Sequence, residues 1–261
     1  MSYISFSDYR SLPGINASLL KACANGLWSG WQSLHVEREP SDAMKFGTAL
    51  HAYFLEADRF GDLVAVSQKF DRRTKAGKEA AEAFEAQASG KTVISEEELE
   101  QIKRMYKRSM EILDFSSILG TGLKEFTISG EMPAGRIKGR LDLMSQDGSV
   151  IVDIKTTRSA DPALFAKDFL NLHYDVQFLH YANLARIHNP KLASVPKMLV
   201  LACETGSGEV ALYDVTEIST REKAVEKYWR AFDTALELER TPECPDKFPR
   251  FAVTLNAPSW A

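Results

Sequence analysis

Residues 135–157, GRIKGRLDLMSQDGSVIVDIKTT, decide the fold because they contain two β-like runs around a turn. The turn signal is QDGS at residues 146–149. A third run of the same character, LKEFTISGEM at residues 123–132, comes just before and is separated from them by PAG. We therefore predict a meander of three strands in the middle of the chain.

The segments after this meander alternate between helix and strand patterns. We expect helices at about 161–171 and 174–188, followed by strands at KMLVLACE (197–204) and EVALYDV (209–215). A long amphipathic helix should then run from Ser219 to about Glu239. This order predicts an α/β fold with a mixed β-sheet core flanked by helices.

The first third of the chain has helical patterns instead. Asn16 is a capping-type residue before one helix, and residues 43–60 form a second. The apolar residues of the second helix recur at helical spacing, which predicts a buried stripe of Phe46, Leu50, Phe54 and Ala57.

Two more helices are expected before the meander, one ending near Ser89 and one from Ser95 to about Leu113. We therefore expect a helical lobe over residues 1 to about 120 and an α/β core over about 121–261. Together they should form a single domain, 1–261.

The composition fits one substantial core, since 44% of the 261 residues are hydrophobic and 26% are charged. The net charge of −4 gives no overall attraction to DNA. Cys23, Cys203 and Cys244 lack CxxC spacing, which argues against a disulfide framework or a metal cluster. The sequence shows neither a signal-peptide pattern nor the roughly 18 to 20 apolar residues of a membrane span, so we expect a cytoplasmic protein without a membrane segment.

Residues 151–155, IVDIK, place an acid and a base on one side of a strand. Alternate residues of a strand share a face, so Asp153 and Lys155 point the same way. Val152 and Ile154 then point into the core. In the preceding strand Asp142 lies between two leucines that we expect to face inward together, and a hairpin would bring it close to Asp153.

Two converging carboxylates form an oxygen-rich site that suits Mg²⁺ or Mn²⁺. An ammonium group beside them, Lys155, can orient or help to deprotonate a metal-bound water, and it can offset the charge that develops on a phosphate. The combination of Asp142, Asp153 and Lys155 is the chemistry of phosphodiester hydrolysis.

The same residues resemble the signature of the PD-(D/E)XK nuclease superfamily, which here is Asp142 followed eleven residues later by Asp153-Ile154-Lys155. Two further motifs strengthen the resemblance. GTALH at residues 47–51 is similar to the GxxxH helix of the RecB and RecE branches, with Gly47 leaving room above the imidazole of His51. Residues 174–181 match their helical YxxQxxxY motif.

Within the superfamily the chain resembles most closely the RecE-type phage exonucleases, related to exodeoxyribonuclease VIII. This resemblance implies a restriction-endonuclease-like fold and processive 5′ to 3′ degradation of linear double-stranded DNA, leaving 3′ overhangs for recombination by strand annealing. It also implies two Mg²⁺ ions per site, a ring-shaped tetramer and a RecT-type annealing partner, encoded by a phage or prophage.

Carried over by position, the resemblance makes His51, Asp142, Asp153 and the Ile154 carbonyl metal ligands, and makes Lys155 the residue that positions the attacking water. Gln177 is the further catalytic candidate. The other candidates for support or DNA contact are Tyr174, Tyr181, Arg140, Lys138, Glu125, Arg72, Arg73 and Lys75.

Several of these candidates have alternative interpretations. Glu125 is either a metal-site carboxylate or an exposed strand residue, and Arg140 either contacts a phosphate or pairs with a carboxylate. The basic run at residues 69–78 either contacts DNA or is a solvated loop. We interpret His173 and His180 as structural.

The sequence argues against several other classes of enzyme. The sequence lacks HExxH, GxxxxGK[ST] and GxSxG, which excludes zinc proteases, P-loop NTPases and serine hydrolases of those types. Its three cysteines argue against the iron–sulfur nucleases of the superfamily, which need four. The alternatives are a structure-specific nuclease or endonuclease and a non-catalytic DNA-binding relative.

Overall fold

The computed structural model describes residues 4, 6–37, 39–240 and 243–248. The helices of this part are, in chain order, α1 (Phe6–Ser11), α2 (Ala17–Cys23), α3 (Leu27–His35), α4 (Asp42–Leu55), a 3₁₀ turn (Ala57–Arg59), α5 (Phe60–Leu63), α6 (Lys75–Gln87), α7 (Glu96–Met110), α8 (Leu113–Thr121), α9 (Pro162–Asn171), α10 (Tyr174–His188), α11 (Thr216–Thr220) and α12 (Glu222–Arg240). The strands are β1 (Val64–Ser67), β2 (Thr92–Ser95), β3 (Leu123–Met132), β4 (Gly135–Met144), β5 (Val150–Thr157), β6 (Lys197–Glu204) and β7 (Val210–Asp214).

The central sheet has the strand order β3-β4-β5-β6-β7. Strands β3, β4 and β5 form the predicted antiparallel meander, and β6 and β7 are also antiparallel. Strand β6 runs parallel to β5, because α9 and α10 carry the chain back along the sheet between them. The predicted α/β fold with a mixed sheet flanked by helices is confirmed.

Helices cover both faces of the sheet. On one face Val152 and Ile154 share a core with residues of α4, α7 and α8. On the other face Ile151 shares a core with residues of α2, α10 and α12. The strand alternation of residues 151–155 is therefore as predicted, but the face that carries Asp153 is not solvated, and this side chain is only 1% exposed.

Strand β4 changes its alternation at the position of Asp142. Leu141 packs in the α10 core and Leu143 in the α4 core, although they are two residues apart. The expectation that both leucines face the same apolar layer is wrong. The physical reason is that β4 separates from β5 here, so it no longer follows the pleat of the central sheet.

The backbone edge that β4 exposes after this separation is occupied by Ile15. Its N–H donates to the Arg136 carbonyl at 3.0 Å, and its carbonyl accepts from the Lys138 N–H at 2.9 Å. A short parallel bridge from the N-terminal segment thus provides partners for two backbone groups of β4.

The N-terminal part is mainly helical, as predicted, with two differences. Helix α4 ends at Leu55, because Glu56 leaves the helical conformation, so Ala57 is exposed rather than part of the buried stripe. Strands β1 and β2 form a small parallel pair that the sequence patterns missed. In the described part of the chain, helices that combine the length and the apolar character of a membrane span are absent.

Candidate active site

The separation of β4 from β5 opens the candidate site. The two strands pair at Met144–Ile151 and Leu143–Val152, and the next step would place Asp142 beside Asp153. Instead, the Asp142 carboxylate reaches across, and its Oδ2 accepts a hydrogen bond from the Ile154 N–H at 2.8 Å. A side-chain oxygen of Asp142 therefore takes the place of a backbone acceptor. The Asp142 carboxylate lies in the gap between β4 and β5.

Glu125 faces this gap from β3 with an unusual backbone conformation. Its φ of +46° lies in the left-handed region, which costs free energy for any residue other than glycine. Strands β3 and β4 pair on both sides of the Glu125–Asp142 step but not at it. Strain of this kind is typical of functional sites, where it re-aims a side chain.

His51 approaches the two carboxylates from α4. Its Nδ1 lies 3.5 Å from Asp142 Oδ1 and 3.8 Å from Glu125 Oε1. Its Nε2 hydrogen-bonds to the Ile154 carbonyl at 3.0 Å. A methyl group on Gly47 would meet Thr156 Oγ1 at 3.6 Å rather than the imidazole, so the steric reason given for this glycine is wrong.

His51, Glu125 and Asp142 have the donor set of a divalent cation site. One ligand atom from each lies within 4.8 Å of the others. The two carboxylate oxygens suit Mg²⁺ or Mn²⁺, and an imidazole nitrogen is a common ligand of divalent transition metals. The Nε2–H group of a ligating histidine usually donates to a carbonyl or a carboxylate, as His51 does, and this leaves Nδ1 facing the carboxylates. The residues present therefore fit the metal.

The group of three donors differs in two positions from the ligand set that the resemblance implied. Both oxygens of Asp153 are engaged elsewhere, by Gln177 Nε2 at 2.6 Å and by the Lys155 ammonium group. The Ile154 carbonyl orients His51. Among the described residues, the group of three donors contains Glu125 in place of Asp153, while metal binding by Asp153 and by the Ile154 carbonyl stays a prediction.

Charge interactions change the protonation of these side chains. Burial opposes a charge on His51, but Asp142 and Glu125 outweigh it and raise the pKa of His51 to about 9. Burial raises the pKa of Asp153, although Lys155 favours its charged form. Asp153 and Asp142 raise the pKa of Lys155 against the effect of burial, so Lys155 is an ammonium group at neutral pH.

The motif on α10 packs directly under Asp153. Besides the bond to Asp153, Gln177 Nε2 donates to the Tyr181 hydroxyl at 3.0 Å. The Lys155 ammonium lies 5.1 Å from the centroid of the Tyr174 ring. The helix face predicted from the i, i+3, i+7 spacing is therefore the face that meets the site.

The sequence patterns did not identify two residues of this region. Lys21 on α2 donates to Gln177 Oε1 at 2.7 Å, and burial lowers its pKa to about 8. Glu56 lies 3.3 Å from Arg140, whose Nε also lies 2.7 Å from Glu125 Oε2. Neither residue belongs to a local motif, and each meets its partner across a long stretch of sequence.

Arg140 takes the second of its two predicted roles, pairing with carboxylates. Its side chain is 9% exposed and lies between Glu125 and Glu56.

Lys138 lies away from the candidate site. It is 7% exposed, and its ammonium group donates to the Arg10 carbonyl at 3.0 Å and to the neighbouring Tyr9 and Leu12 carbonyls. It satisfies the last carbonyls of α1, so the expected DNA contact of Lys138 is wrong.

The basic run lies on an exposed surface and is paired with acids. Arg72 contacts Glu85 at 2.6 Å, and Arg73 contacts Asp71 at 2.9 Å. Lys75 lies 3.8 Å from a glutamate one helical turn away. Surface pairs of this kind are weak and exchange readily for other partners, so DNA contact by this run stays a prediction.

His51, Asp142 and Lys155 open into a groove of about 850 Å³. Helix α4 lines one wall with Met44 and Thr48, and the start of α2 lines another. The groove gives the site access from solvent along its length. The groove is open to solvent rather than enclosed.

Comparison with known proteins places this geometry in context. The chain matches, over residues 5–247, the model of a family described as "PDDEXK-like domain of unknown function" (DUF3799). It is similar to a solved structure from Eubacterium rectale named "Putative exonuclease", with a TM-score of 0.58, 15% sequence identity, and coverage of 92% of this chain and 85% of that chain. A second structure, of SSO0001, shares 19% identity over 90% of this chain and 88% of that chain, but its TM-score of 0.32 is too low to support an argument. The curated proteins contain no match.

Proposed function

Because the chain belongs to the PDDEXK-like DUF3799 family of the PD-(D/E)XK nuclease superfamily, we propose that it is a divalent-metal-dependent nuclease that degrades linear double-stranded DNA from its ends. The observation that carries this proposal is the gap between β4 and β5. It brings His51, Glu125 and Asp142 together beside Lys155, in an open groove.

The charges of the groove favour a metal-dependent route. The arginine and the lysine that line it are already paired, Arg140 with Glu125 and Lys155 with Asp153. The His51 imidazole lies beside the Glu125 and Asp142 carboxylates, which offset its charge. A phosphate would therefore meet little uncompensated positive charge from side chains alone. A Mg²⁺ ion held by His51, Glu125 and Asp142 would supply that charge and would lower the pKa of a bound water.

Lys155 has a separate task in this scheme. It remains an ammonium group, so it donates hydrogen bonds and does not act as a proton acceptor. It is held against Asp153, which Gln177 fixes from the other side. We assign to Lys155 the positioning of the attacking water and the offsetting of negative charge on the phosphate.

The finer assignment to RecE-type exonucleases is supported by the motifs of residues 47–51 and 174–181 and by the helical N-terminal part. With it we propose 5′ to 3′ polarity, two ions per site, a tetrameric ring, a single domain and an annealing partner of the RecT type. Cytoplasmic location in a cell that carries a phage or prophage belongs to the same proposal.

The direct test is cleavage of linear duplex DNA with Mg²⁺ by the wild type, by Asp142→Asn and by Asp233→Asn. Asp233 is an exposed carboxylate on α12 and serves as the matched control. We expect Asp142→Asn to slow cleavage by about 100-fold or more, as for loss of a group that stabilises the transition state. Equal rates in all three proteins would contradict the proposed function.

The same assay distinguishes the alternatives. A covalently closed circle should be spared if the enzyme acts from ends, whereas cutting of the circle would indicate an endonuclease. DNA binding without cleavage by the wild type would indicate a non-catalytic relative. Strand-specific 5′ and 3′ labels read the polarity, and sedimentation reads the oligomeric state.

A further inference from the structure

Lys21 contacts the site from a helix that carries none of the motif residues. Its Nζ donates to Gln177 Oε1 at 2.7 Å. At its other end, Gln177 donates to Asp153 Oδ1 at 2.6 Å and to the Tyr181 hydroxyl at 3.0 Å. Gln177 is only 4% exposed, so its amide spans a buried gap between Lys21 and Asp153.

The chemistry of the lysine sets the direction of this amide. An ammonium group only donates hydrogen bonds, so the oxygen end of Gln177 must face Lys21. The nitrogen end must then face Asp153, whose carboxylate accepts from it at one oxygen and contacts the Lys155 ammonium group with the other. The two ends of an amide have nearly the same shape, so packing alone does not distinguish one orientation from the other.

Loss of the Lys21 ammonium group would remove the preference for this orientation of the Gln177 amide. The buried Oε1 would have lost its donor, which is an unfavourable state for a polar atom away from water. A reversed amide would place an oxygen against the Asp153 carboxylate, where both atoms are acceptors. Asp153 Oδ1 would then lose its fixed partner, and the contact of Oδ2 with Lys155 would no longer be constrained.

Tyr174 links the two lysines on this side of the site. The Lys21 and Lys155 ammonium groups each lie 5.1 Å from the centroid of its ring. An aromatic ring attracts a cation to its face, which favours the charged form of both side chains at partly buried positions. The ring therefore helps Lys21 to remain a donor close to a second positive charge.

We propose that Lys21 is a positioning residue of the active site: it fixes the orientation of the Gln177 amide, and this amide holds Asp153 in place for Lys155. This inference rests on the proposed function for its catalytic consequence. The orientation itself is a property of the protein without metal or DNA.

The first experiment therefore uses ¹H–¹⁵N spectra of the full chain without metal or DNA. The side-chain amide signals of Gln177 are identified by their loss in Gln177→Ala. We expect them to exchange slowly in the wild type and to shift and exchange rapidly in Lys21→Met. Lys21→Arg retains a donor and should preserve them, as should Lys167→Met, which changes an exposed lysine on α9.

The second experiment measures single-turnover cleavage of linear duplex DNA at saturating Mg²⁺. Lys21→Met should be about 10- to 100-fold slower, as is common when a residue that orients a metal-site group is lost. The DNA concentration for half-maximal rate should not change. In a Gln177→Ala background, Lys21→Met should cause no further loss, because it acts through the absent amide.

Two results with Lys21→Met would overturn the proposal. One is Gln177 amide signals that are the same in Lys21→Met as in the wild type. The other is a rate loss for the double variant equal to the product of the single losses, since Lys21 would then act by another route. If Lys21→Met does not fold, loss of the amide signals in a folded Lys21→Arg protein would also count against it. If the spectra are as expected but the wild type does not cleave DNA, the proposed function is refuted. The proposed orientation of the Gln177 amide by Lys21 would still be supported.

Discussion

Acidification should weaken the fold through His180, a buried residue of α10 close to the site. Its side chain is fully buried; Nε2 hydrogen-bonds to the Lys138 carbonyl at 2.9 Å, and Nδ1 lies 3.4 Å from the Tyr228 hydroxyl. Burial lowers the pKa of His180 from its ordinary value of 6.5 to about 4. The folded protein therefore keeps this imidazole neutral at a pH where the unfolded chain protonates it.

The sign and size of the effect follow from this difference. Stability due to neutral His180 is fully present above the unfolded pKa of 6.5 and is lost as the pH falls towards about 4. One pKa unit corresponds to about 1.4 kcal/mol, so the full loss is about 3 kcal/mol, of which about 2 kcal/mol should appear between pH 7 and pH 5.

Urea unfolding at pH 7 and pH 5 measures this loss as the change in the free energy of unfolding. We expect His180→Gln to be less stable than the wild type at pH 7 but to lose about 2 kcal/mol less on acidification. His35→Gln changes an exposed histidine on α3 and should keep the wild-type pH dependence. An equal loss in the wild type and in His180→Gln would refute the reasoning.

Three further predictions concern the site. Lys155→Ala should bind linear DNA nearly as well as the wild type, measured by anisotropy, but should cleave it far more slowly; equal cleavage would exclude its assigned role. Ca²⁺ should raise the melting temperature of the wild type but not of Asp142→Asn. The rise in the wild type should be larger at pH 9 than at pH 7, because the cation must displace the proton of His51, whose pKa is about 9. A rise that is independent of pH would contradict this. Gly47→Ala should raise the free energy of unfolding by up to about 1 kcal/mol, since a helix favours alanine and the added methyl group meets Thr156 only at 3.6 Å; lower stability would show that the contact is closer. The same methyl group projects into the groove, so cleavage by Gly47→Ala should be slower than by the wild type.

The long, regular elements could be predicted from the sequence because their patterns are local. Strand β3 and strand β6 have the predicted bounds, and α10 presents Gln177 on the face that its spacing indicated. Strands β1 and β2 have four residues each and pair with one another across a long interval, so neither gives a sufficient local signal.

The sequence predicted the site residues that belong to motifs, but it did not predict the contacts between them. His51, Asp142 and Lys155 lie together as the motifs indicated, but the partners of each side chain depend on the departure of β4 from β5. This departure brings Glu125 into the group of three donors. It could not be read from alternation, because alternation assumes a strand that stays in its sheet.

The bridge between Ile15 and β4 has a practical consequence for shortened forms of the protein. Removal of residues 1–15 would leave the Arg136 carbonyl and the Lys138 N–H without the partners that Ile15 provides. It would also expose a strand edge beside the groove, and exposed edges recruit strands from other molecules. N-terminal deletions that reach Ile15 should therefore self-associate, and loss of cleavage in such a deletion would not by itself show a chemical role of the deleted residues.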